Sequence, residues 1–229
     1  MPGRESAATL SVSLVTYRTP PSMLSATLRS LSAAAPRSAR SSPAMLLTIV
    51  DNTERNAETI DLRQTLLAGL ELPAIDARVL ANHGNIGFGR GHNLALDRLG
   101  RYHLVLNPDV EMAGDALARA IEFMDAHPEC ALLSPFACDR NGEPQALCKR
   151  YPTVFDLGLR GFAPTWLRKR FQKRLDRYEM RDAFSSGAVV WDPPIVSGCF
   201  MLFRSDALRA LGGFDPRFFL YFEDFDISL

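Results

Sequence analysis

The chain has no excess charge of either sign: 26 lysines and arginines face 26 aspartates and glutamates, a formal net charge of +0 at pH 7. With no global field to attract polyanions, nucleic-acid binding is disfavoured, and any anion must be held by local arrangement. Cysteine is sparse, at four in 229 residues. Cys130, Cys138, Cys148 and Cys199 show neither CxxC spacing nor the histidine pairing of a zinc site, so we read them as reduced thiols of a cytosolic protein. No run approaches the ~18 apolar residues of a membrane span. The opening Met1-Pro2-Gly3-Arg4-Glu5-Ser6 lacks the charged-then-apolar pattern of a signal segment, so a soluble or peripheral chain is expected. The four histidines (His83, His92, His103, His127) form no HExxH-like arrangement and read as structural or exposed. Ser197-Gly198 lacks the glycine pattern of a nucleophile elbow, which disfavours hydrolase chemistry.

What is present is an alternation of strands and helices. Leu10 to Tyr17 is a mostly apolar run of period-two character, followed by Thr19-Pro20-Pro21-Ser22 and a helical spacing through Leu24, Leu28 and Leu31. Met45 to Val50 is a continuous apolar run of the kind buried on both faces of a parallel sheet, and it ends at Asp51-Asn52. Further strands are expected at Ala77–Ala81, His103–Leu106 and Ala131–Ser134, and helices at Asn93–Leu99 and Asp115–Ala126. Ser38 to Pro43 reads as a mobile loop. Such alternation predicts an α/β doubly wound sheet, with ligands beyond the carboxyl ends of the strands. Thr16, Asp51, Asn85 and Asp109 fall at such ends.

Three stretches carry chemistry. In Asn107-Pro108-Asp109 the proline fixes the backbone of a strand-end turn and presents a carboxylate, where a hard divalent cation would need one or two such groups plus phosphate oxygens. The same tripeptide is also an ordinary turn in which Asp109 caps the next segment. The segment Gly84-Asn85-Ile86-Gly87-Phe88-Gly89-Arg90-Gly91-His92-Asn93 is glycine-rich but does not match GxGxxG, which argues against a dinucleotide oxidoreductase. It can still approach a nucleotide closely, with Asn85 and Asn93 as polar contacts. Near the C-terminus, Glu223, Asp224 and Asp226 stand beside Phe218, Phe219, Tyr221, Phe222 and Phe225. A desolvated aromatic wall there would raise a carboxylate pKa and suit a general base, Asp224 first and Glu223 second. The competing reading is helix N-terminal charge, which Asp226 fits best. Between Cys138 and Ile195 one basic helix stands out, Trp166 to Arg177, as a surface for an anionic membrane or a phosphorylated acceptor, or simply a solvated helix.

Several motifs in this order carry a resemblance. They are Val15-Thr16-Tyr17, Val50-Asp51-Asn52, Asn85-Ile86-Gly87-Phe88-Gly89 with Asn93, Leu106-Asn107-Pro108-Asp109, and the block from Ser197-Gly198 to Glu223-Asp224-Phe225-Asp226. The chain resembles the inverting family 2 glycosyltransferases of the GT-A fold, especially their bacterial rhamnosyltransferase-like branch. The resemblance implies one GT-A domain over residues 1–229, with a mostly parallel sheet flanked by helices. It further implies a nucleotide-sugar-binding half over 8–135 and an acceptor-binding, catalytic half over 136–229. It implies a nucleotide-diphosphate sugar donor, often dTDP-L-rhamnose in this branch, with Asp51 meeting the base and Thr16 and Asn85 lining the nucleoside site. Tyr17, Asn52, Phe88, Asn93, Asn107, Ser197 and Gly198 complete the implied donor-binding set. Asp109 would hold Mg²⁺ or Mn²⁺, and Asp224, beside Glu223, would deprotonate the acceptor. A glycan or lipid-linked saccharide acceptor is implied, in cell-surface polysaccharide synthesis. The enzyme would then be cytoplasmic, peripheral at the inner face of the plasma membrane through residues 166–177.

The chain departs from the family twice. Asn107 replaces the first carboxylate of the usual DxD, as in the rhamnosyltransferase-like branch, and the chain ends at Leu229, before the helix and the histidine-bearing strand that family members normally add. A truncated product is therefore an expectation. Two alternatives stay open, a nucleotidyltransferase on a related sheet and a non-catalytic nucleotide-sugar-binding module.

Overall fold

The computed structural model describes residues 8–35, 45–54, 75–184 and 189–229. Its contacts divide the chain into two compact units. One comprises Met1–Leu133 and Gly198–Glu223, the other Ser134–Ser197 and Asp224–Leu229. The chain thus leaves the first unit after Leu133 and returns to it at Gly198.

The first unit is built on a six-stranded sheet. Its strands are β1 (Leu10–Thr16), β2 (Met45–Asp51), β3 (Ile75–Leu80), β4 (Tyr102–Leu106), β5 (Leu132–Leu133) and the late strand β10 (Phe200–Arg204), in the order β3-β2-β1-β4-β10-β5. β3, β2, β1 and β4 run parallel, while β10 is antiparallel to both β4 and β5. The sheet is the mixed, mostly parallel α/β architecture expected. The strand β10 was not anticipated, although its continuous Phe200-Met201-Leu202-Phe203 run is the signal that could have found it.

Every residue of β1, β2 and β4 is buried. β2 and β4 explain this directly, being apolar almost throughout, as a sheet covered on both faces requires. β1 differs. Leu10, Val12 and Leu14 fill one face, yet the alternate Ser11 and Ser13 are also buried, because two imidazoles cover the second face instead of water. The helix α1 (Pro21–Ala34) starts with proline at its first turn, where the missing N–H costs nothing. It turns Leu24, Leu28 and Leu31 inward. Each fully buried leucine contributes about 1.5–3 kcal/mol.

The helix expected at Asn93–Leu99 is displaced. α2 covers Phe88–Asn93, inside the glycine-rich stretch, and turns come after it. Glycine disfavours helix, but here it lets the helix lie against its neighbours: a Cβ on Gly91 would stand 2.7 Å from Val15, and one on Gly89 would stand 2.8 Å from Phe214. Packing therefore overrides propensity. The next helix, α3 (Ala116–Ala126), sits where expected and buries Leu117, Ala120 and Met124. The Ser38–Pro43 loop lies outside the described residues.

The second unit has two short ladders, β6 (Ala137–Cys138) with β7 (Pro144–Gln145), and β8 (Cys148–Lys149) with β9 (Ile195–Val196). Its helices include α4 (Val154–Phe162), α5 (Thr165–Arg170), α6 (Gln172–Tyr178) and α7 (Arg181–Phe184). The single basic helix expected over 166–177 is two helices, broken at Phe171. Phe171 leaves helical geometry at φ −107° and ψ 21° and serves as the C-cap of one helix and the N-cap of the next. Back in the first unit, β10 runs straight into α8 (Ser205–Leu211), which Gly212 ends in the left-handed conformation at φ +77°. Among the described residues no helix is long and apolar enough to cross a membrane.

Candidate functional site

The parallel register places Thr16 opposite Asp51 at the carboxyl ends of β1 and β2. Thr16 is buried, and its hydroxyl lies 3.4 Å from the Asp51 Oδ1 and from the Val50 carbonyl. Asp51 is 6% exposed, and its Oδ1 also accepts the Thr53 N–H at 3.0 Å. One carboxylate oxygen is thereby fixed to the chain turn, and the side chain sits at the mouth of the sheet. Asn52 is 2% exposed, and its N–H donates to the Thr16 carbonyl at 2.8 Å. Its side chain reaches the loop after β3: Nδ2 donates to the Gly87 carbonyl at 3.0 Å and to Asn85 Oδ1 at 3.4 Å, while Oδ1 lies 3.1 Å from His83 Nε2. Asn85 in turn accepts the Gly87 N–H at 3.1 Å. Thr16, Asp51, Asn52 and Asn85 are therefore gathered, with Tyr17 at the rim, 43% exposed and within 3.4 Å of Glu54.

Asn93 and Phe88, from the same sequence stretch, serve the interior. Asn93 Nδ2 donates to the Phe214 carbonyl at 2.7 Å, and Oδ1 accepts the Phe214 N–H at 2.9 Å. The Phe88 ring meets His92 edge-on at 4.4 Å and Phe214 at 5.9 Å. Gly87 adopts φ +89°, and a Cβ there would run into the Phe219 carbonyl, which accepts the Phe88 N–H at 3.0 Å. The loop is thus shaped by close backbone approach, a glycine role that the spacing alone did not reveal.

Under α2 runs a buried polar chain that sequence reasoning missed. Ser13 Oγ stands 2.7 Å from His92 Nδ1 and 2.9 Å from His103 Nε2, and Ser11 Oγ stands 2.8 Å from His103 Nδ1. The Gly100 N–H donates to Ser11 Oγ at 2.9 Å. Burial pushes the His103 pKa down to about 3. His92 is held well below its ordinary value by burial and then by the charge of His103. Both imidazoles are neutral at ordinary pH, and three of their four ring nitrogens face the Ser11 or Ser13 hydroxyl, which makes this a buried hydrogen-bonded relay.

The Asn107-Pro108-Asp109 turn is fixed from two sides. The buried Thr27 of α1 donates to the Pro108 carbonyl at 2.8 Å, and the Asn107 N–H donates to the Cys199 carbonyl at 3.0 Å. Asn107 Nδ2 also lies 3.6 Å from Cys199 Sγ. Asp109 is exposed at the end of β4, the strand on the other side of β1 from β2. Among the described residues no group of three or more His, Cys, Asp or Glu is gathered as a metal cage. A single exposed carboxylate suits a Mg²⁺-like ion that takes its remaining oxygens from phosphate and water.

Glu223 opens the short helix α9 (Glu223–Ile227), buried in the first unit, where its Cβ is 3.6 Å from the position a Cβ on Gly89 would take. Asp224 belongs to the second unit, half-buried, with its carbonyl accepting the Ser228 hydroxyl at 2.5 Å. That hydroxyl also accepts the Val196 N–H at 3.0 Å, which ties α9 to β9. Ser197 comes directly after β9 and donates its N–H to the Leu147 carbonyl at 2.7 Å, whereas Gly198 is the first residue back in the other unit. The desolvated aromatic wall is corrected in part: Phe219, Tyr221 and Phe222 are 54%, 72% and 51% exposed, whereas Phe218 and Phe225 are half-buried. Tyr221 and Phe222 both sit at φ +70°, in the left-handed region.

No family model matches the chain. Two strains of Mycobacterium tuberculosis contain relatives named N-acetylglucosaminyl-diphospho-decaprenol L-rhamnosyltransferase, each 26% identical over 168 residues, covering 67% of this chain and 52% of the relative. The chain thus spans about half the length of the curated relatives it matches. Among solved structures, Staphylococcus aureus TarS 1–349 is similar with a TM-score of 0.57 and 15% identity, over 96% of this chain and 54% of that one. The Pyrobaculum calidifontis mannosyltransferase PcManGT, in complex with GDP-Man and Mn²⁺, gives 0.57 and 18%, over 93% and 49%. GalNAc-T7 with UDP, GalNAc and Mn²⁺ gives 0.58 and 16%, over 98% and 40%. The chain carries the GT-A fold of the glycosyltransferases and is rhamnosyltransferase-like in sequence, as its resemblance to family 2 implies.

Proposed function

We propose that this chain is the donor-binding and catalytic portion of an inverting glycosyltransferase that moves a sugar from a nucleotide-diphosphate donor to a glycan or lipid-linked saccharide. The observation that carries the reading is the convergence of Thr16, Asp51, Asn52 and Asn85 at the carboxyl ends of adjacent parallel strands, with Asp109 at the end of the strand on the other side of β1. That edge is where open α/β sheets receive nucleotides. Asp51, with one oxygen fixed by Thr53, offers the other to a base N–H, and Thr16 and Asn85 line the nucleoside. Asn93 and Phe88 shape the loop rather than touch the donor. Asn107, Tyr17, Ser197 and Gly198 complete the donor-binding set.

Asp109 would hold Mg²⁺ or Mn²⁺, which supplies charge neutralisation at the departing diphosphate. Asp224 accepts the proton of the acceptor hydroxyl as its oxygen bonds to the anomeric carbon and the carbon–phosphate oxygen bond breaks, so configuration inverts. Glu223, buried next to it in sequence, is the second carboxylate of the proposed catalytic pair. The relatives' name supports L-rhamnose as the transferred sugar and a lipid-linked diphosphate sugar as the acceptor, and we take dTDP-L-rhamnose as the donor. The reaction then runs at the cytoplasmic face of a membrane, in cell-surface polysaccharide synthesis, with peripheral contact through residues 166–177. The domain reading that goes with this is one GT-A domain in two functional halves.

Isothermal titration of UDP, GDP and dTDP with Mn²⁺ tests the proposal. One diphosphate should bind, and Asp51→Ala should weaken it about tenfold or more, the scale of a lost charge-assisted contact. The reading fails if none of the three binds, or if Asp51→Ala binds as the parent does.

A further inference from the structure

The second unit carries a helix turned the wrong way for a solvated surface. In α4, Asp156 and Leu159 are buried, the carboxylate held by Thr153 and by Arg174 at 2.5 Å. The opposite side presents Val154, 89% exposed, and Phe162, 92% exposed, with Phe155 and Leu157 partly exposed. Val154, Gly158 and Phe162 recur at i, i+4 and i+8, one stripe of the helix, and a Cβ on Gly158 or Gly161 would meet nothing within 4 Å. The helix's one carboxylate is inside and paired, while Val154 and Phe162 stand exposed together with Arg160, an apolar stripe beside a cation that marks an interaction surface and not a random exposed residue.

The adjoining α5 supplies the other half of the signature. Trp166 is 70% exposed, and Lys169 and Arg170, at i+3 and i+4 from it, share its face. From Val154 to Tyr178 there are seven basic residues and two acidic ones, and both acids are already engaged, Asp156 with Arg174 and Asp176 with Arg181. By contrast α6 turns Leu175 and Tyr178 inward, so it presents no apolar face.

We infer that the α4–α5 surface, Val154, Phe162 and Trp166 with Lys169 and Arg170, docks on an anionic lipid surface. Apolar and aromatic side chains beside a cluster of cations are what an interfacial helix needs: the rings enter the headgroup boundary, and the cations meet anionic lipid. The inference extends the lipid-linked acceptor reading above, and it moves the membrane contact from the whole of 166–177 to α4 and the first turns of α5.

The test is co-sedimentation of the full chain with vesicles rich in phosphatidylglycerol, against vesicles of phosphatidylcholine alone. The expected result is partition onto the anionic vesicles only, weakened by added salt. The pair Lys169→Glu with Arg170→Glu, and separately Phe162→Ser with Trp166→Ser, should each lower that partition about tenfold or more. All four side chains are exposed, so these variants keep the parent melting temperature. In a Trp191→Phe background Trp166 is the sole tryptophan, and its emission should shift to the blue on anionic vesicles. Equal partition onto both vesicle types, exclusion from both, or no loss in either variant overturns the inference. So does a dimer that the apolar variant dissociates while vesicle binding stays unchanged, since a second copy would then be what covers the patch. Nucleotide titration of the same samples separates the two readings: a chain that binds vesicles and no nucleotide defeats the proposed function and leaves this surface standing.

Discussion

The side-chain amide of Asn93 pairs with the backbone of Phe214 through two hydrogen bonds, 2.7 Å from Nδ2 to the carbonyl and 2.9 Å from the N–H to Oδ1. It acts as one rung of a ladder between α2 and the turn 121 residues further on. Asn93→Ala would leave both Phe214 groups without these partners, each orphan costing about 1–3 kcal/mol. At ~2–4 °C per kcal/mol for a chain of this size, the melting temperature should fall by roughly 4–24 °C. Calorimetry on the variant checks this, and a shift under 2 °C, on the order of a surface change, would show that the pairing carries no stability.

The buried imidazoles predict acid lability. In the unfolded chain both titrate near 6.5; in the folded chain His103 is pushed down to about 3 and His92 well below its usual value. Between these limits the unfolded state binds more protons, so stability is full above pH 6.5 and falls as pH drops from 6.5 towards 3, by up to ~1.4 kcal/mol per pH unit for each histidine. His103→Gln should flatten that limb, read from urea unfolding between pH 6.5 and 5, above most carboxylate titration. An unchanged slope would remove His103 as its source.

Asp109 is exposed at its turn, so Asp109→Ala should alter stability by no more than about 0.5 kcal/mol. Its effect should appear in metal coupling instead. Parent protein should bind nucleoside diphosphate more tightly with Mn²⁺ than with chelator, and the variant should bind equally in both. Titration in the two buffers decides it; a variant that keeps the full Mn²⁺ enhancement places the ion elsewhere.

Asp224→Asn should separate chemistry from binding. Removing a general base lowers turnover by about 10²–10⁴-fold, while the donor dissociation constant should stay within about twofold of the parent, a change of only ~0.4 kcal/mol. Stopped-time transfer assays with a lipid-linked acceptor, beside donor titration, give both numbers. Transfer at the parent rate would hand the proton to another group.

These outcomes depend on features that were unequally legible in the residues themselves. Leu10–Thr16, Met45–Asp51 and Tyr102–Leu106 declare themselves because a strand covered on both faces must be apolar or self-satisfied. Thr16, Asp51 and Asn52 are located by where such strands stop. The Asn93 amide was harder to place, because a polar side chain in a glycine-rich stretch suits a ligand and a backbone partner equally, and the partner lies far along the chain. The start of α2 was hidden for a related reason: glycines that weaken a helix are also what let it lie against Val15 and Phe214. The break at Phe171 was invisible to a charge pattern that runs straight through it.

The pairing of Leu202 with Leu133 and of Phe203 with Leu132 brings the point where the chain departs from the sheet beside the point where it comes back. Whatever is spliced between two such neighbouring ends closes a loop whose entropic cost grows only slowly with its length. The 134–197 excursion can therefore vary in length at little cost to the sheet whose strand ends carry Thr16, Asp51 and Asp109.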